Sequence, residues 1–246
     1  MGGYTVYFFM TNDYFIFKQF SIKQERTAFK VGTDGVLLGA SADLSGATNI
    51  LDIGTGTGLI ALMLAQRSKA EITALEPEEG SFIQATENIK DSPWNERITV
   101  FKYDLQAFTK LTNLKFDILI TNPPYFRDSL LNPDDAKSAS RHTCSLSSYD
   151  ILDASTNLLT VDGSLQLILP YTEGTLFIAE ASQFGFFCTR IIKIKPFPTG
   201  GIIRLIMKFE RIKKPVSESF ITIETGTRHA YTEEYKEVTK AFYLKF

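Results

Sequence analysis

The chain has 246 residues, of which 44% are hydrophobic and 22% are charged, and its formal net charge is −2. This composition is typical of a globular protein with one large domain or two small ones. The near-neutral charge excludes a protein that binds nucleic acid over its whole surface, because such binding depends on an excess of positive charge.

The sequence offers few groups for a metal or a cross-link. Its two cysteines, Cys144 and Cys188, are far apart, and with only two histidines there is no C-x-x-C or H-x-x-x-H spacing. We therefore expect no metal site and no structural disulfide. No apolar run reaches about 18 residues, and the first residues lack the features of a signal peptide. We expect a cytoplasmic protein with no membrane span.

Strand-like and helix-like periodicities alternate along the chain. Period-two alternation predicts a strand or hairpin at 14–24, and a loop with several glycines at 30–42 leads into a short helix. From residue 49 onward, the pattern predicts strands at 49–53, 70–76, 96–102, 116–121 and 164–170, and helices at 57–67, 80–92, 104–110, 148–163 and 174–185.

Strands and helices that alternate through short links predict an α/β fold, with a parallel sheet covered by helices on both faces. Two later β runs, 186–196 and 201–212, are joined by a loop too short for a helical crossover, so they should pair antiparallel. A run at 220–224 could add an edge strand. We divide the chain into an N-terminal hairpin and covering loop at 1–45 and a main domain at 46–246.

A glycine-rich stretch, LDIGTGTGLIAL, follows the first strand of this alternation. Gly54, Gly56 and Gly58 are spaced G-x-G-x-G and precede a helix. Glycines here let the backbone approach a ligand closely and leave amide donors free at the start of the helix. A dinucleotide fingerprint would need a further glycine where Leu59 stands, and a phosphate loop would need Gly-Lys-Ser/Thr, so the sequence predicts neither.

Three carboxylates accompany this loop. Asp52 lies two residues before Gly54, Glu76 ends the second strand, and Asp104 follows the third. Glu76 is placed to accept from ribose hydroxyls, and Asp104 from an adenine amino group. This ordered set resembles the S-adenosylmethionine site of class I methyltransferases, with Asp52 holding the loop near the methionine amine. The alternative is a glycine turn in an α/β protein that binds no nucleotide.

The stretch TNPPYF ends the fourth strand in a stiff, polar and aromatic corner. Asn122, Pro123, Pro124 and Tyr125 would lie at the carboxyl edge of the sheet, where ligands bind in open α/β folds. The corner resembles the (N/D)PP(Y/F) signature of methyltransferases that alkylate a planar exocyclic or amide nitrogen. A Pro-Pro turn with no chemical role is the alternative.

The residue types of this corner suit such chemistry. An aryl amine is a poor nucleophile because its lone pair is delocalised into the ring. The side-chain carbonyl of Asn122 can accept from one N–H, and the main-chain carbonyl of Pro123 can accept from the other. The prolines fix the backbone, so both acceptors are in place before substrate arrives. Tyr125 offers a face on which a base can stack, worth about 1–3 kcal/mol.

Several stretches together resemble a narrower family, the bacterial tRNA (adenine-N6) methyltransferases. These stretches are FKQFSIKQERTAFKVGTDGVLLGA, LDIGTGTGLIALMLAQR, NPPYF, RHTCSLS and YTEEYKEVTKAFYLKF. That family modifies the adenine just 3′ of the anticodon in a valine tRNA. The resemblance implies a Rossmann-like class I methyltransferase fold, with a mostly parallel seven-stranded sheet and an antiparallel edge hairpin. It also implies S-adenosylmethionine as donor, tRNA as partner, and a monomer without metal.

The resemblance further implies that the loop from Lys30 to Gly35 closes over the methionine end of the donor. Thr33 and Asp34 have the side chains best suited to contact it, and Asn122 would face the donor as well. The alternative for this loop is a helix N-cap, a role that Thr33 or Asp34 could fill.

The polar stretch 127–147 is the predicted substrate lid. In it, Arg141 and His142 could contact a phosphate or the base, while Pro124, Tyr125 and Phe126 would border the substrate. A base in a tRNA loop is already partly unstacked, so turning it into a site costs less than from a duplex. A surface loop with no such role is the alternative.

A local excess of positive charge occurs late in the chain. Between Arg190 and Lys214 there are eight basic residues and one acid, Glu210. Such a region suits contact with RNA phosphates. Lysines that protect a solvated strand edge are the alternative.

Other activities share the NPPY corner. A protein-glutamine methyltransferase usually has a helical N-terminal domain, and fewer than fifty residues precede the strand of Leu51. A ribosomal RNA guanine-N2 methyltransferase is a second alternative. A donor-binding assembly factor without catalysis is a third, and the presence of Asn122 and Tyr125 argues against it.

Overall fold

The computed structural model describes residues 13–27, 29–124 and 146–246. Its strands are β1 (Tyr14–Ile16), β2 (Ser21–Lys23), β3 (Asn49–Ile53), β4 (Glu71–Leu75), β5 (Ile98–Phe101), β6 (Phe116–Thr121), β7 (Leu159–Pro170), β8 (Phe187–Lys195), β9 (Arg204–Glu210) and β10 (Ser217–Thr222). Its helices are α1 (Thr33–Ser41), α2 (Leu59–Arg67), α3 (Glu79–Lys90), α4 (Leu105–Leu111), α5 (Ser148–Leu158), α6 (Tyr171–Gln183) and α7 (Glu233–Thr239).

Within the described residues, eight strands form one sheet in the order β10-β8-β9-β7-β6-β3-β4-β5. Strands β3 to β7 pair in parallel, and β9 runs antiparallel to both β7 and β8. The predicted α/β class and antiparallel pair are confirmed. The sheet has eight strands rather than seven because β10 pairs in parallel with β8, so the hairpin lies inside the sheet.

The prediction of one helix over 148–163 is wrong at its end. Helix α5 ends at Leu158, and β7 begins at Leu159. Leu159 pairs with Phe116 of β6, and the register of the two strands shifts after this pair. A Cβ on Gly163 would come within 2.9 Å of the Leu159 side chain. This glycine therefore permits a strand irregularity and does not end a helix.

Two hydrophobic clusters cover the two faces of the sheet. One packs the N-terminal hairpin, α1 and α2 against residues such as Ile50 and Ile118. The other packs α4, α5 and α6 against residues such as Leu51 and Leu119. Because neighbours along a strand point to opposite faces, the consecutive apolar residues of β3 and β6 supply both clusters.

Helix α2 is buried between the sheet and α1. A Cβ on Gly39 of α1 would lie 2.8 Å from Sδ of Met63, so the two helices approach each other closely at this glycine. Arg67, at the end of α2, donates to the carbonyls of Gly39 and Ala42, both at 2.8 Å. These contacts hold the carboxyl end of α1 against α2.

The β1–β2 hairpin is attached to α3 through one buried amide. Asn88 is 2% exposed. Its Oδ1 accepts from the Lys23 N–H, and its Nδ2 donates to the carbonyls of Lys23 and Thr57, all at 2.9 Å. Since Thr57 belongs to the glycine-rich stretch, Asn88 connects the hairpin to that loop.

We predict that Asn88→Ala destabilises the protein by about 2–4 kcal/mol, because it leaves backbone groups of Lys23 and Thr57 without partners. Chemical denaturation would measure the change. Thr86→Ala is the matched control, because Thr86 is exposed on the same helix and, among the described residues, its hydroxyl donates only to the Phe82 carbonyl. A loss for Asn88→Ala as small as the control's, about 0.5 kcal/mol or less, would contradict this role.

Candidate active site

The carboxyl ends of β3, β4 and β6 bring the predicted site residues to one edge of the sheet. Strand β3 lies between β4 and β6, and Ile53 pairs with both Leu75 and Thr121. The Thr121 hydroxyl also donates to the Ile53 carbonyl at 2.9 Å. The glycine loop after β3 therefore starts directly beside the residue that precedes Asn122.

The three glycines of the loop all have left-handed backbones. Their φ values are +69° at Gly54, +59° at Gly56 and +84° at Gly58. No atom of the surroundings lies within 4 Å of a Cβ placed on Gly54 or Gly56. The loop thus has an open side where the bare backbone can approach a ligand.

Asp52 fixes the base of this loop. It is fully buried, and its Oδ2 accepts from the Thr55 hydroxyl at 2.6 Å and the Ala61 N–H at 3.2 Å. Burial raises the pKa of this carboxyl to about 7, although the two hydrogen bonds favour its charged form. Its Oδ1 is buried without a hydrogen-bond partner among the described residues. A buried acceptor of this kind can receive a donor from a ligand.

Glu76 lies beside the same loop. Its Oε2 accepts from the Gly56 N–H at 2.8 Å, and its Oε1 accepts from the Glu78 N–H at 3.0 Å. Burial raises the pKa of Glu76, and the hydrogen bonds from Glu78 and Gly56 oppose that shift. A carboxylate has about four acceptor positions, so Glu76 can still accept from hydroxyls of a ligand.

Asp104 has a structural role in addition to its predicted one. It is the N-cap of α4, and its Oδ1 accepts from the Ala107 N–H at 2.6 Å. One strand, β4, lies between β5 and the strand that precedes the glycine loop, since β5 pairs with β4 and β4 with β3. Its second carboxylate oxygen could therefore accept from a ligand that extends from the glycine loop past the carboxyl ends of β4 and β5.

The polar corner after β6 lies close to the amino end of α1. A Cβ on Gly35 would be 3.9 Å from Nδ2 of Asn122 and 3.1 Å from the Leu59 side chain. Pro123 is buried and Pro124 is exposed. Asn122, the start of α1 and the start of α2 therefore converge at one place.

Neither Thr33 nor Asp34 is the helix cap. The N-cap of α1 is Gly32, and no side chain caps this end. Asp34 accepts from Nε of Arg204 at 2.8 Å, and both side chains are about three-quarters buried. The N-cap interpretation is wrong because Asp34 is turned toward β9.

Sequence reasoning missed three residues that shape the site. Thr121 binds β3, Asn88 holds the glycine loop, and Arg204 holds Asp34. Asn88 and Gln84 are buried polar residues four positions apart on α3. Two amides on the buried face of an amphipathic helix are unusual, and this pattern in the sequence could have indicated that they bind backbone groups. Nothing local to Arg204 indicated its partner, which is 170 positions away.

The basic residues between 190 and 214 do not form one face. Lys193 and Lys195 end β8 and Arg204 begins β9 at the carboxyl edge, whereas Lys213 and Lys214 follow β9 at the opposite edge. Others hold elements together, since Arg190 donates to the Ser41 carbonyl and Lys208 pairs with Asp43. Charge density along the chain therefore overstates the basic surface at any one place.

Four predicted site residues lie outside the described part of the chain: Tyr125, Phe126, Arg141 and His142. Among the residues that are described, no group of three or more His, Cys, Asp or Glu side chains could hold a metal ion. No described helix is both long enough and apolar enough to cross a membrane.

Comparisons with known proteins agree with this geometry. Residues 31–172 match the family described as Methyltransferase small domain. A tRNA1(Val) (adenine(37)-N6)-methyltransferase of Trichodesmium erythraeum is 43% identical over 240 residues, which are 96% of this chain and 100% of that one. A protein of the same name from Parabacteroides distasonis is 42% identical over 238 residues, again 96% and 100% of the two chains.

Solved structures share the fold at lower identity. A predicted O-methyltransferase from Agrobacterium tumefaciens has a TM-score of 0.62 at 21% identity, covering 85% of this chain and 96% of that one. A ribosomal protein L11 methylase from Lactobacillus delbrueckii subsp. bulgaricus has a TM-score of 0.51 at 17% identity, covering 73% and 77%. These two likenesses concern the fold alone.

We predict that Asp52→Asn changes the pH dependence of folding. The carboxyl titrates near 3.8 when unfolded and about 7 when folded, so its contribution to stability falls as pH rises through that range. Asparagine does not titrate, so the stability of the Asp52→Asn variant does not fall for this reason as pH rises. Between pH 5.5 and 8, its free energy of unfolding should rise by about 2 kcal/mol relative to wild type.

Denaturant titrations at the two pH values measure this difference. Asp162→Asn is the control for the change of one charge, because Asp162 is exposed. If Asp52→Asn and the wild type keep parallel pH profiles, the carboxyl of Asp52 is not the group that titrates in this range.

Proposed function

The chain belongs to the tRNA1(Val) (adenine(37)-N6)-methyltransferase family, and we propose that it methylates N6 of adenine 37, the nucleotide just 3′ of the anticodon, in valine tRNA. The methyl donor is S-adenosylmethionine. The convergence of the Asn122 corner, the glycine loop and the start of α1 is the observation that carries this proposal.

The described residues fit this donor. Gly54 and Gly56 leave an open side that a larger residue would fill, and buried Oδ1 of Asp52 is free to accept from the methionine ammonium group. Glu76 would accept from the ribose hydroxyls, and Asp104 from the adenine amino group, in strand order along the edge. Gly58, whose left-handed backbone ends the loop, leads directly into α2.

The amino end of α1 would cover the methionine end of the donor. Its first amide groups have no side-chain cap, and the positive end of a helix dipole favours a carboxylate. Thr33 lies at this end, and Asp34 is oriented by Arg204. We propose that the ion pair keeps the start of α1 beside Asn122.

S-adenosylmethionine supplies an electrophilic methyl group on a sulfonium. The corner after β6 prepares the nucleophile: Oδ1 of Asn122 accepts from one N6–H, and the main-chain carbonyl of Pro123 accepts from the other. The buried ring of Pro123 holds this backbone in place. Both acceptors draw electron density toward the nitrogen and favour its pyramidal form.

No side chain has to act as a general base. The alkylated ammonium is a strong acid, so it releases its proton to water after the new N–C bond has formed. Rate enhancement then rests on alignment and on acceptors that are in place beforehand.

The RNA would contact the residues that follow Pro123. Tyr125 would stack on the adenine, Pro124 and Phe126 would border it, and Arg141 and His142 would contact a phosphate or the base. The proposed partner is the anticodon loop, whose bases are already partly unstacked. We propose that the protein acts on it as a monomer.

Labelled donor tests this function directly. A valine tRNA transcript should accept methyl groups, and the same transcript with guanine at position 37 should not. Nucleoside analysis of the product should show N6-methyladenosine. Label that enters release factors but no RNA would favour a protein-glutamine methyltransferase, and N2-methylguanosine in ribosomal RNA would favour the guanine enzyme. Donor binding without any transfer would indicate an assembly factor.

We predict that Asn122→Ala lowers kcat by about 100-fold or more, because the amine loses one acceptor that is oriented before the reaction. Calorimetric titration should find donor affinity within about twofold of wild type. Asn49→Ala is the control, since Asn49 begins β3 at the opposite edge of the sheet. Near-normal turnover of the Asn122 variant would remove this residue from the mechanism.

A further inference from the structure

The carboxyl edge of the sheet continues beyond the active-site strands as a surface with exposed aromatic rings and lysines. We call the residues Tyr171, Lys193, Lys195, Phe197 and Phe220 the aromatic-basic track. The three rings are 47%, 43% and 53% exposed, in the order Tyr171, Phe197 and Phe220. Exposed rings spaced between lysines differ from the scattered apolar residues of an ordinary surface.

The outer end of the track is a cation–π cluster. Phe220 pairs with Lys193 across β10 and β8, and its ring centroid is 5.6 Å from Nζ of Lys193 and 5.7 Å from Nζ of Lys195. Lys193 is also paired with Glu218. Lys195 has no carboxylate partner within the described part of the chain, so its charge is available to an anion.

Backbone hydrogen bonds hold the track in a fixed shape. The Gly200 N–H donates to the Phe197 carbonyl at 2.9 Å, which closes the turn that carries this ring. The Ile223 N–H donates to the Lys195 carbonyl at 2.9 Å, and the Tyr171 N–H donates to the Ile203 carbonyl at 3.1 Å. The rings are thus presented without the cost of ordering a flexible loop.

We propose that the track binds single-stranded nucleotides of the RNA that flank the methylated base, by stacking on the rings and by contact of Lys195 with phosphate. This inference rests on the proposed function. Rings with lysines between them are the pattern by which proteins bind unpaired nucleic acid, because every base has a face to stack and every nucleotide a negative charge. Lysines that only protect a strand edge need no exposed rings between them.

The distance of the track from Asn122 indicates that it binds nucleotides next to the methylated base and not that base itself. Four strand spacings separate β6 from β10, and one separates β6 from β7, which ends beside Tyr171. The track therefore runs from about 5 Å to about 19 Å from the strand of Asn122. Only its inner end is close to the target base.

The opposite edge of the sheet contains a matched control. Lys213 lies over the ring of Phe187, 6.0 Å from Nζ to the centroid. It is the same type of pair, but Phe187 begins β8 at the amino edge, away from the active site. Substitution there changes charge and a cation–π contact without touching the track.

We would measure binding of an RNA hairpin that contains the anticodon loop, by fluorescence anisotropy, for Phe220→Ala, Lys195→Ala and the double variant. The double variant should bind about tenfold more weakly and show a parallel rise of KM. Its kcat at saturating RNA and its donor affinity should stay within twofold of wild type. Lys195→Ala should reduce the slope of log K against log salt by about 0.7.

Phe220→Tyr should keep most of the affinity, because a phenol ring also stacks, and this variant separates stacking from an effect on folding. Lys213→Ala should bind like wild type. Equal losses in Lys213→Ala and the track variants, or no loss in the double variant, would overturn the inference while leaving methylation of tRNA intact. A wild-type protein that neither binds the hairpin nor methylates tRNA would overturn the proposed function and this inference with it.

Discussion

The geometry of the site depends on one buried carboxylate. Asp52 accepts from the Thr55 hydroxyl and from the Ala61 amide, so a single side chain joins the end of β3, the glycine turn and the first turn of α2. The left-handed backbones of the glycines make this tight turn possible without strain. Burial of the carboxylate disfavours its charge, and Oδ1 has no hydrogen-bond partner among the described residues to offset that cost. The loop is thus strained electrostatically in a way that a cationic ligand group would relieve.

The N-terminal residues complete the site from the other side. Arg67 holds the carboxyl end of α1, and the ion pair of Asp34 with Arg204 holds its amino end. Asn88 ties the preceding hairpin to the glycine loop through the Thr57 carbonyl. The hairpin and α1 share one hydrophobic cluster with α2, so these residues pack as part of the main core. A division of the chain at 45/46 remains a prediction about sequence organisation.

The basic residues of the late β runs have two different roles: some hold elements of the fold together, and others are exposed at the carboxyl edge of the sheet. Several basic residues of the late β runs are used internally, as in the pairs of Lys208 with Asp43 and of Arg190 with the Ser41 carbonyl. The charges left for a ligand at the carboxyl edge are few, and they stand next to exposed rings. Affinity at such an edge comes from stacking as well as charge, which is consistent with a net charge of −2 for the whole chain.

The sequence by itself determined the features that are local. Apolar runs and their periodicities predicted most strands and helices, and the glycine spacing predicted a loop between the first strand and a helix. The positions of Glu76, Asp104 and the Asn-Pro-Pro corner after strands were also predicted. Only the tertiary structure decided which distant groups meet: Asp34 with Arg204, Thr121 with Ile53, and Asn88 with Thr57. It also decided that β7 begins at Leu159 and that β10 pairs in parallel with β8. The periodicity of apolar residues indicates which face of a helix or strand is buried. It does not indicate which other element packs on that face, because that depends on residues far away in the chain.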